Sequence, residues 1–387
     1  FTTLPILPAH LLAEVPVEML PEHSFTRFPI GTGPWRIASV DGEEIVLEPH
    51  PEYFGETPML DRIIFRFYED AATTLQAYRR GEIMGIAQVR PEDVTPVLGD
   101  TSLNLYTTQV SGYTAIFFNL KRPMLQERTV RQALLLGLDR QKLIDEVLAR
   151  QGIVADSFLM QTHWAFDPQL PRYAYEPEEA ADMLEEAGWT DSDGDGIRDK
   201  DGQPLAFTLI SDESTPRLVA LTEAIARQWA SLGVQVEAKP VTPNSLRERL
   251  RQREFDLVML TTPTSGLPAD PDFYPLWHSS QTGEEGQNLT SFASEGADLL
   301  LVEARRNTDP TVRRELYRQF QTLLAEEVPA FPIYYPIYNY AISTLVKEVQ
   351  LAPMTNTADR FRSLPQWYIK SRRVLIEQGQ STPTLAP

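Results

Sequence analysis

Two acidic stretches are where residue type and spacing could do chemistry. The first is Asp270-Pro-Asp272, followed by Tyr274, Trp277 and His278. Paired carboxylates beside aromatic rings are what a glycosidase uses, one as acid and one as base or nucleophile. The same tripeptide also starts a short helix well, because an Asp side chain accepts a backbone N–H in the first turn. No second catalytic group lies nearby, so the capping reading is the stronger one. The second stretch is Asp191-Ser-Asp193-Gly-Asp195-Gly196-Ile-Arg-Asp199. Its carboxylates stand at roughly positions 1, 3, 5 and 9 of a calcium loop, with glycine at 6, but position 12 is Gly202, not the bidentate Glu. Aspartate and glycine also favour surface turns by themselves. The expectation is a turn with at most a weak calcium site at Asp191, Asp193, Asp195 and Asp199, and no other metal or cofactor.

Other catalytic signatures are absent. Pro263-Thr-Ser265-Gly266 lacks the leading glycine of a nucleophile elbow. The five histidines are scattered, with no H-E-x-x-H pair. Gly31-Thr-Gly33-Pro34 lacks the third glycine of a dinucleotide loop, and Pro34 stands where a helix would have to open. The absence of cysteine excludes a thiol nucleophile, a disulfide framework and a thiolate-bound metal. The search for catalytic signatures thus comes out largely empty.

Composition bounds the partners. A formal charge of −19 and a pI near 4.8 speak against a nucleic-acid partner, since phosphate binding needs Lys and Arg. No stretch approaches the roughly 18 uninterrupted apolar residues of a membrane span. At 387 residues the chain is longer than one core usually serves, so two lobes are expected.

Several elements must position these groups. Trp35–Val40 and Glu44–Glu48 flank Asp41-Gly42 and read as a hairpin. Arg62–Tyr68 alternates as a strand, and Asp70 can cap a helix stopped by Gly81. Tyr113–Leu120 is an apolar, β-rich run. After it, Thr129 with Gln132 three residues on reads as a capping box, and Val130, Ala133, Leu134 and Leu138 form a buried helix face. Asp139 can cap the next helix, with Leu143 and Ile144 inward. Pro177 opens a helix that Gly188 closes. A strand at 205–210, a helix from Pro216 to Gly233, a strand at 234–238, a short helix and a strand at 255–261 alternate as in a mostly parallel sheet. Helices near 294–306 and 310–327 follow, the second capped by Asp309. Residues 331–340 are aromatic and interrupted by proline.

Taken in order, several of these residues resemble a known family. They include Pro29-Ile-Gly-Thr-Gly-Pro-Trp35, Phe118-Asn119, Thr129-Val-Arg131-Gln-Ala-Leu134 and Leu138-Asp139-Arg140. Then come Gly188-Trp189 with the Asp-Gly turn, Asp270-Pro-Asp272, Leu276-Trp277-His278-Ser279, Gln287-Asn288, Glu327-Val-Pro329 and Trp367. The series is similar to the family 5 extracytoplasmic solute-binding proteins of ABC transporters, the dipeptide- and oligopeptide-binding type, over about residues 1–370.

The resemblance implies an α/β, periplasmic-binding-protein-like fold of type II, with two lobes of mixed sheets and flanking helices joined by hinge strands. It implies a β-rich, partial lobe I over 1–112 and an α/β lobe III over 113–340, with hinge strands near 113–119 and 334–341. A return to lobe I over 341–370 and a tail over 371–387 complete the expected division. It also implies that an N-terminal portion precedes Phe1 in the family. The expected function is capture of a peptide or similar small polar solute by lobe closure, and its delivery to a membrane permease. The receptor would be extracytoplasmic, in the periplasm or lipid-anchored at the cell surface, and monomeric. The residues expected at the ligand are Tyr113, Asn119, Trp164, Ser265, Gly266, Leu267, Trp277 and Tyr335. One departure bears on the solute. Peptide binders of this family carry an aspartate three residues before the Asp-Pro pair for the ligand's α-amino group; here that residue is Leu267. An ammonium taken out of water needs a carboxylate partner. The departure points to a blocked peptide, an oligosaccharide stacked on aromatic rings, or another small polar solute.

Overall fold

The computed structural model describes residues 7–70, 72–262 and 271–370. The chain divides into two compact units. Among the described residues, those within 1–106, 339–351 and 360–387 form the first, and those within 107–338 and 352–359 the second.

The first unit starts its β-structure with the hairpin of β1 (Trp35–Val40) and β2 (Glu44–Pro49), to which β3 (Ile63–Arg66) adds antiparallel. Asp41 closes the turn by accepting the N–H groups of Glu43 and Glu44. Those two bonds hold its carboxyl below the usual range. Helix α1 (Ala72–Arg79) takes its cap from Asp70, whose carboxylate accepts from Thr73 N at 2.9 Å. Strand β4 (Gly85–Ile86) pairs with Ala341 and Ile342. The small core gathers Leu75, Ile86, Val89, Val97 and Leu103.

The second unit is built on a mixed sheet. The chain enters it within β5 (Leu103–Gln109) and leaves it within a long strand, β11 (Ala330–Ser343), at Tyr338–Asn339. Residues 107–112 and 352–359 also belong here, although 1–112 and 341–370 were expected in the first lobe. A parallel bridge between Val110 and Met354, and Ser111 N donating to Met354 O, tie them in. Strand β6 (Tyr113–Phe118) lies inside this unit and is buried along its whole length.

The other elements follow in order: α2 (Arg128–Leu136), α3 (Arg140–Glu146), β7 (Gly152–Val154), α4 (Pro177–Glu186), β8 (Ala206–Asp212), α5 (Pro216–Ala230), β9 (Gln235–Val241), α6 (Pro243–Gln252), β10 (Leu257–Thr262), α7 (Tyr274–Trp277), α8 (Glu295–Arg306) and α9 (Pro310–Glu327). The sheet order is β9-β8-β10-β6-β11, with β7 also on β11. β9, β8 and β10 run parallel. β6 is antiparallel to both β10 and β11, which makes the sheet mixed.

Alternation along β6 feeds two cores, because successive side chains in a strand point to opposite faces. Ile116 and Phe118 join Leu134, Leu138, Leu143, Leu221 and Trp229 on one face. Tyr113, Ala115 and Phe117 join Phe158, Trp277, Tyr317 and Phe320 on the other. Trp229 donates its Nε1 to Leu134 O at 2.8 Å and locks α5 to α2.

Two local expectations fail for tertiary reasons. Helix α2 starts two residues earlier than the capping box requires, with Glu127 rather than Thr129 as cap residue and no side-chain cap bond. Glu127 instead pairs with Lys200 at 2.9 Å, and Gln132 donates to Glu326 O. The prolines at 332 and 336 do not break β11. The strand absorbs Pro332 with a register shift before Tyr334, and the Pro336 carbonyl accepts from Val110 N.

Candidate functional site

In parallel sheets ligands bind beyond the carboxyl ends of the strands. In the second unit that edge is defined by register. Asp212 ends β8 and Thr262 ends β10, while Tyr113, paired with Thr262, begins the antiparallel β6. The Thr114 and Thr261 hydroxyls meet at 2.8 Å one step inside.

A buried aromatic cluster sits behind this edge. Tyr113 meets Phe158 edge-on with centroids 5.0 Å apart, Phe158 lies 5.1 Å from Trp277, and Phe117 stacks on Trp277 at 6.3 Å. Burial raises the Tyr113 phenol's pKa, against a hydrogen bond with Thr262. Tyr335 lies on the same face, and its hydroxyl is 2.6 Å from both the Ser157 and the Leu159 carbonyl. That single donor pins the loop carrying Phe158 to the sheet. Burial raises the Tyr335 pKa too, so at neutral pH the phenol is a donor. Trp277 is 1% exposed, and its Nε1 has no acceptor among the described residues. A buried donor of this kind is rare and marks a place where an acceptor would be welcome.

The loop itself is anchored by Arg140. Its guanidinium donates to the carbonyls of Ala155, Pro332 and Tyr173 and to the Asp156 carboxylate. Ser157 Oγ donates to Gln321 Oε1, and Gln321 Nε2 donates to Ala165 O. A cavity of about 40 Å³ between Arg140, Ser157, Phe158, Tyr173 and Gln321 has room for about three waters. These groups were missed as site elements because nothing periodic marks 155–173. Within that stretch only Trp164 was expected at the ligand, and the Leu138-Asp139-Arg140 motif was the one pointer to its anchor.

The expected ligand residues have different fates. Tyr113, Trp277 and Tyr335 are brought together, as core residues whose rings are covered. Asn119 is structural: its amide nitrogen donates to Arg253 O and Phe255 O, and its Oδ1 accepts from Lys121 N. No hydrogen remains on that amide for a ligand. Trp164 is half-buried against Tyr317, with the Arg313 guanidinium 5.7 Å from its ring centroid. Ser265, Gly266, Leu267 and Asp270 lie outside the described residues.

Asp272 is held in an ion pair with Arg305. Arg305 grips it with two bonds, Nε to Oδ1 at 2.8 Å and Nη2 to Oδ2 at 2.5 Å, and Oδ1 also accepts from Tyr274 N. A carboxylate held this way is a positioning group. In the Asp-rich turn, Asp191, Asp193 and Asp195 have carboxylate oxygens within 4.8 Å of one another and are exposed. Each accepts a backbone N–H of the turn, whereas Asp199 turns to the Ser192 hydroxyl and N–H.

The mixed sheet with helices on both faces and a ligand edge at the strand ends defines the class: a type II periplasmic-binding-protein-like α/β fold. A solved structure of the oligopeptide-binding protein AppA of Bacillus subtilis, in complex with a nonapeptide, superposes with TM-score 0.69 at 28% identity, covering 95% of this chain and 72% of that one. The sequence matches the family described as bacterial extracellular solute-binding proteins, family 5 Middle, over residues 1–284. The chain belongs to this family.

Among curated relatives, the oligopeptide-binding protein AppA of Bacillus subtilis (strain 168) is 31% identical over 335 residues, which are 86% of this chain and 61% of that protein. Heme-binding protein A of Haemophilus influenzae is 28% identical over 331 residues, 84% of this chain and 58% of that protein. The chain thus spans about three-fifths of the length of the relatives it matches. Family and relatives are binding proteins. Among the described residues, no helix is long and apolar enough to cross a membrane.

Proposed function

We propose that this chain is the solute-recognising part of an extracytoplasmic receptor that captures a peptide or similar small polar solute for an ABC importer, and that it performs no catalysis. Membership of family 5, with relatives named for the peptides they bind, carries this reading. Structural support comes from the aromatic cluster behind the strand edge, from the buried Trp277 donor, and from an Asp272 neutralised by Arg305. The partner is a membrane permease.

The family's carboxylate for a ligand amino group is replaced by Leu267, so the solute is held without its α-amino group. A thermal-shift series with di- and tripeptides, each free and N-acetylated, tests this. Free and acetylated peptides are expected to raise the melting temperature alike. A shift confined to free peptides would overturn the Leu267 argument, and shifts with oligosaccharides alone would move the receptor to another solute class. No cofactor is part of this reading. Calcium at the Asp191–Asp195 turn would bind weakly, and calorimetry at millimolar calcium checks it.

A further inference from the structure

Helix α8 has two faces. Ala297, Leu301 and Ala304 are buried against the unit. On the other side Glu295, Leu299, Val302 and Arg306 recur at i, i+4, i+7 and i+11, a stripe about 16 Å long. Leu299 is 61% exposed. The stripe forms one wall of an open groove of about 560 Å³, closed on the other side by His278, Ser279 and Ala293.

The groove is rigidly made. Asp298 and Arg305, two turns apart on α8, hold the segment from Asp272 to Ser279 at both ends. Asp298 accepts from Ser279 N at 2.8 Å and from its hydroxyl, while Arg305 takes Asp272 and lies 3.9 Å from the Tyr274 ring centroid. Tyr274 in turn stacks on His278 at 4.1 Å. The opposing wall is therefore fixed to the helix that carries the stripe.

Its charge is one-sided. Glu295, Asp298 and Glu303 line the groove against a single guanidinium, Arg306, which Glu303 already pairs at 3.3 Å. The other arginine of this turn, Arg305, is turned away onto Asp272. Apolar Leu299 and Val302 on one wall and Ala293 on the other, with acidic margins along about three turns of α8, have the shape and charge of a helix-in-groove site.

We propose that this groove docks a basic amphipathic helix of a partner protein, with an apolar residue on Leu299 and Val302 and lysine or arginine against Glu295 and Glu303. An anionic lipid surface would be repelled by the same carboxylates. The proposal does not depend on which solute the receptor carries.

The probe is a fluorescein-labelled helical peptide of about 14 residues, made of leucine and lysine, with a leucine–glutamate counterpart of the same pattern. Anisotropy is read on the whole chain. The lysine peptide is expected to bind, and the glutamate peptide to bind at least about tenfold more weakly. Leu299→Asp and the pair Glu295→Lys with Glu303→Lys should each weaken the lysine peptide about tenfold or more. All three positions are exposed, so the circular dichroism melt should be unchanged. The control pair Glu178→Lys with Glu185→Lys, exposed on α4, makes the same change in net charge elsewhere and should leave binding intact. Equal weakening by the control pair, absence of binding, or a self-dimer abolished by Leu299→Asp would overturn the proposal.

Discussion

Replacing Arg140 with methionine should destabilise the second unit by about 3 kcal/mol. The side chain is 8% exposed. Methionine matches the stem in length, so the cavity term is small and the polar terms decide. Lost are the bonds to Ala155 O, to Pro332 O at 3.3 Å, to Tyr173 O at 2.9 Å and to Asp156 Oδ1 at 3.0 Å. Breaking a buried pair by removing one partner costs roughly 3–5 kcal/mol, because the other charge stays behind. Two features favour the lower end. The Asp156 side chain is 20% exposed, and Arg172 Nε stands 3.7 Å away as a second partner. Burial also works against the Arg140 charge itself, lowering its pKa, so its removal returns some desolvation energy.

The assay is urea unfolding followed by tryptophan fluorescence. Trp164, Trp189, Trp229 and Trp277 all report on the second unit. Adding Asp156→Asn should recover part of the loss, since the abandoned charge is then gone. Arg140→Lys should fall between, keeping charge but losing the fork. A loss below about 0.5 kcal/mol, the size of a surface substitution, would refute the reasoning. So would a double variant that is simply additive.

Gly137→Ala should cost about 1–3 kcal/mol, because a methyl there runs into the Leu232 side chain and must shift it; chemical denaturation measures this. Arg318 and Gln319 hold the Glu315 carboxyl at about 2 against an ordinary 4.5. A depressed carboxylate contributes above its unfolded value and loses that contribution as pH falls through its folded one. The stability difference between wild type and Glu315→Gln should therefore be full above pH 4.5 and vanish near pH 2, read from melts across that range. Asp272→Asn should cost no more than about 1 kcal/mol, the range of exposed pairs, since the Arg305 pair is more than a third exposed on both sides. In a solute receptor this change alters no turnover, and a peptide or glycan hydrolysis assay that detected activity lost on Asp272→Asn would contradict the positioning role.

What was legible in the sequence was what short-range chemistry decides. Asp139 caps α3 through Lys142 N at 2.8 Å, and Asp309 caps α9 through Thr311 N, because both bonds close within three residues. Gly188 and Gly233 end their helices with positive φ, where a side chain would be strained. The apolar, β-rich run from Tyr113 announced a strand, and β6 is buried along its whole length. What was not legible is decided over distance. Glu127, which stands at the cap position of α2 in place of Thr129, is engaged by Lys200 from 73 residues away. Asp272 read as a helix-entry cap and does accept Tyr274 N, but the bidentate grip of Arg305, 33 residues on, had no local signal. Asn119 read as a boundary residue, yet its amide closes the turn around Arg253 and Phe255. The aromatic cluster joins Phe117, Phe158 and Trp277 from three separate segments, and no local pattern links them.

The central claim is that this chain recognises a solute and releases it unchanged. Native mass spectrometry of the purified protein, after incubation with a mixture of short peptides, tests it most directly. The expected result is a bound species heavier by the mass of one intact peptide, displaced when a tighter one is added. An unliganded mass throughout, or peptides recovered cleaved, would contradict it.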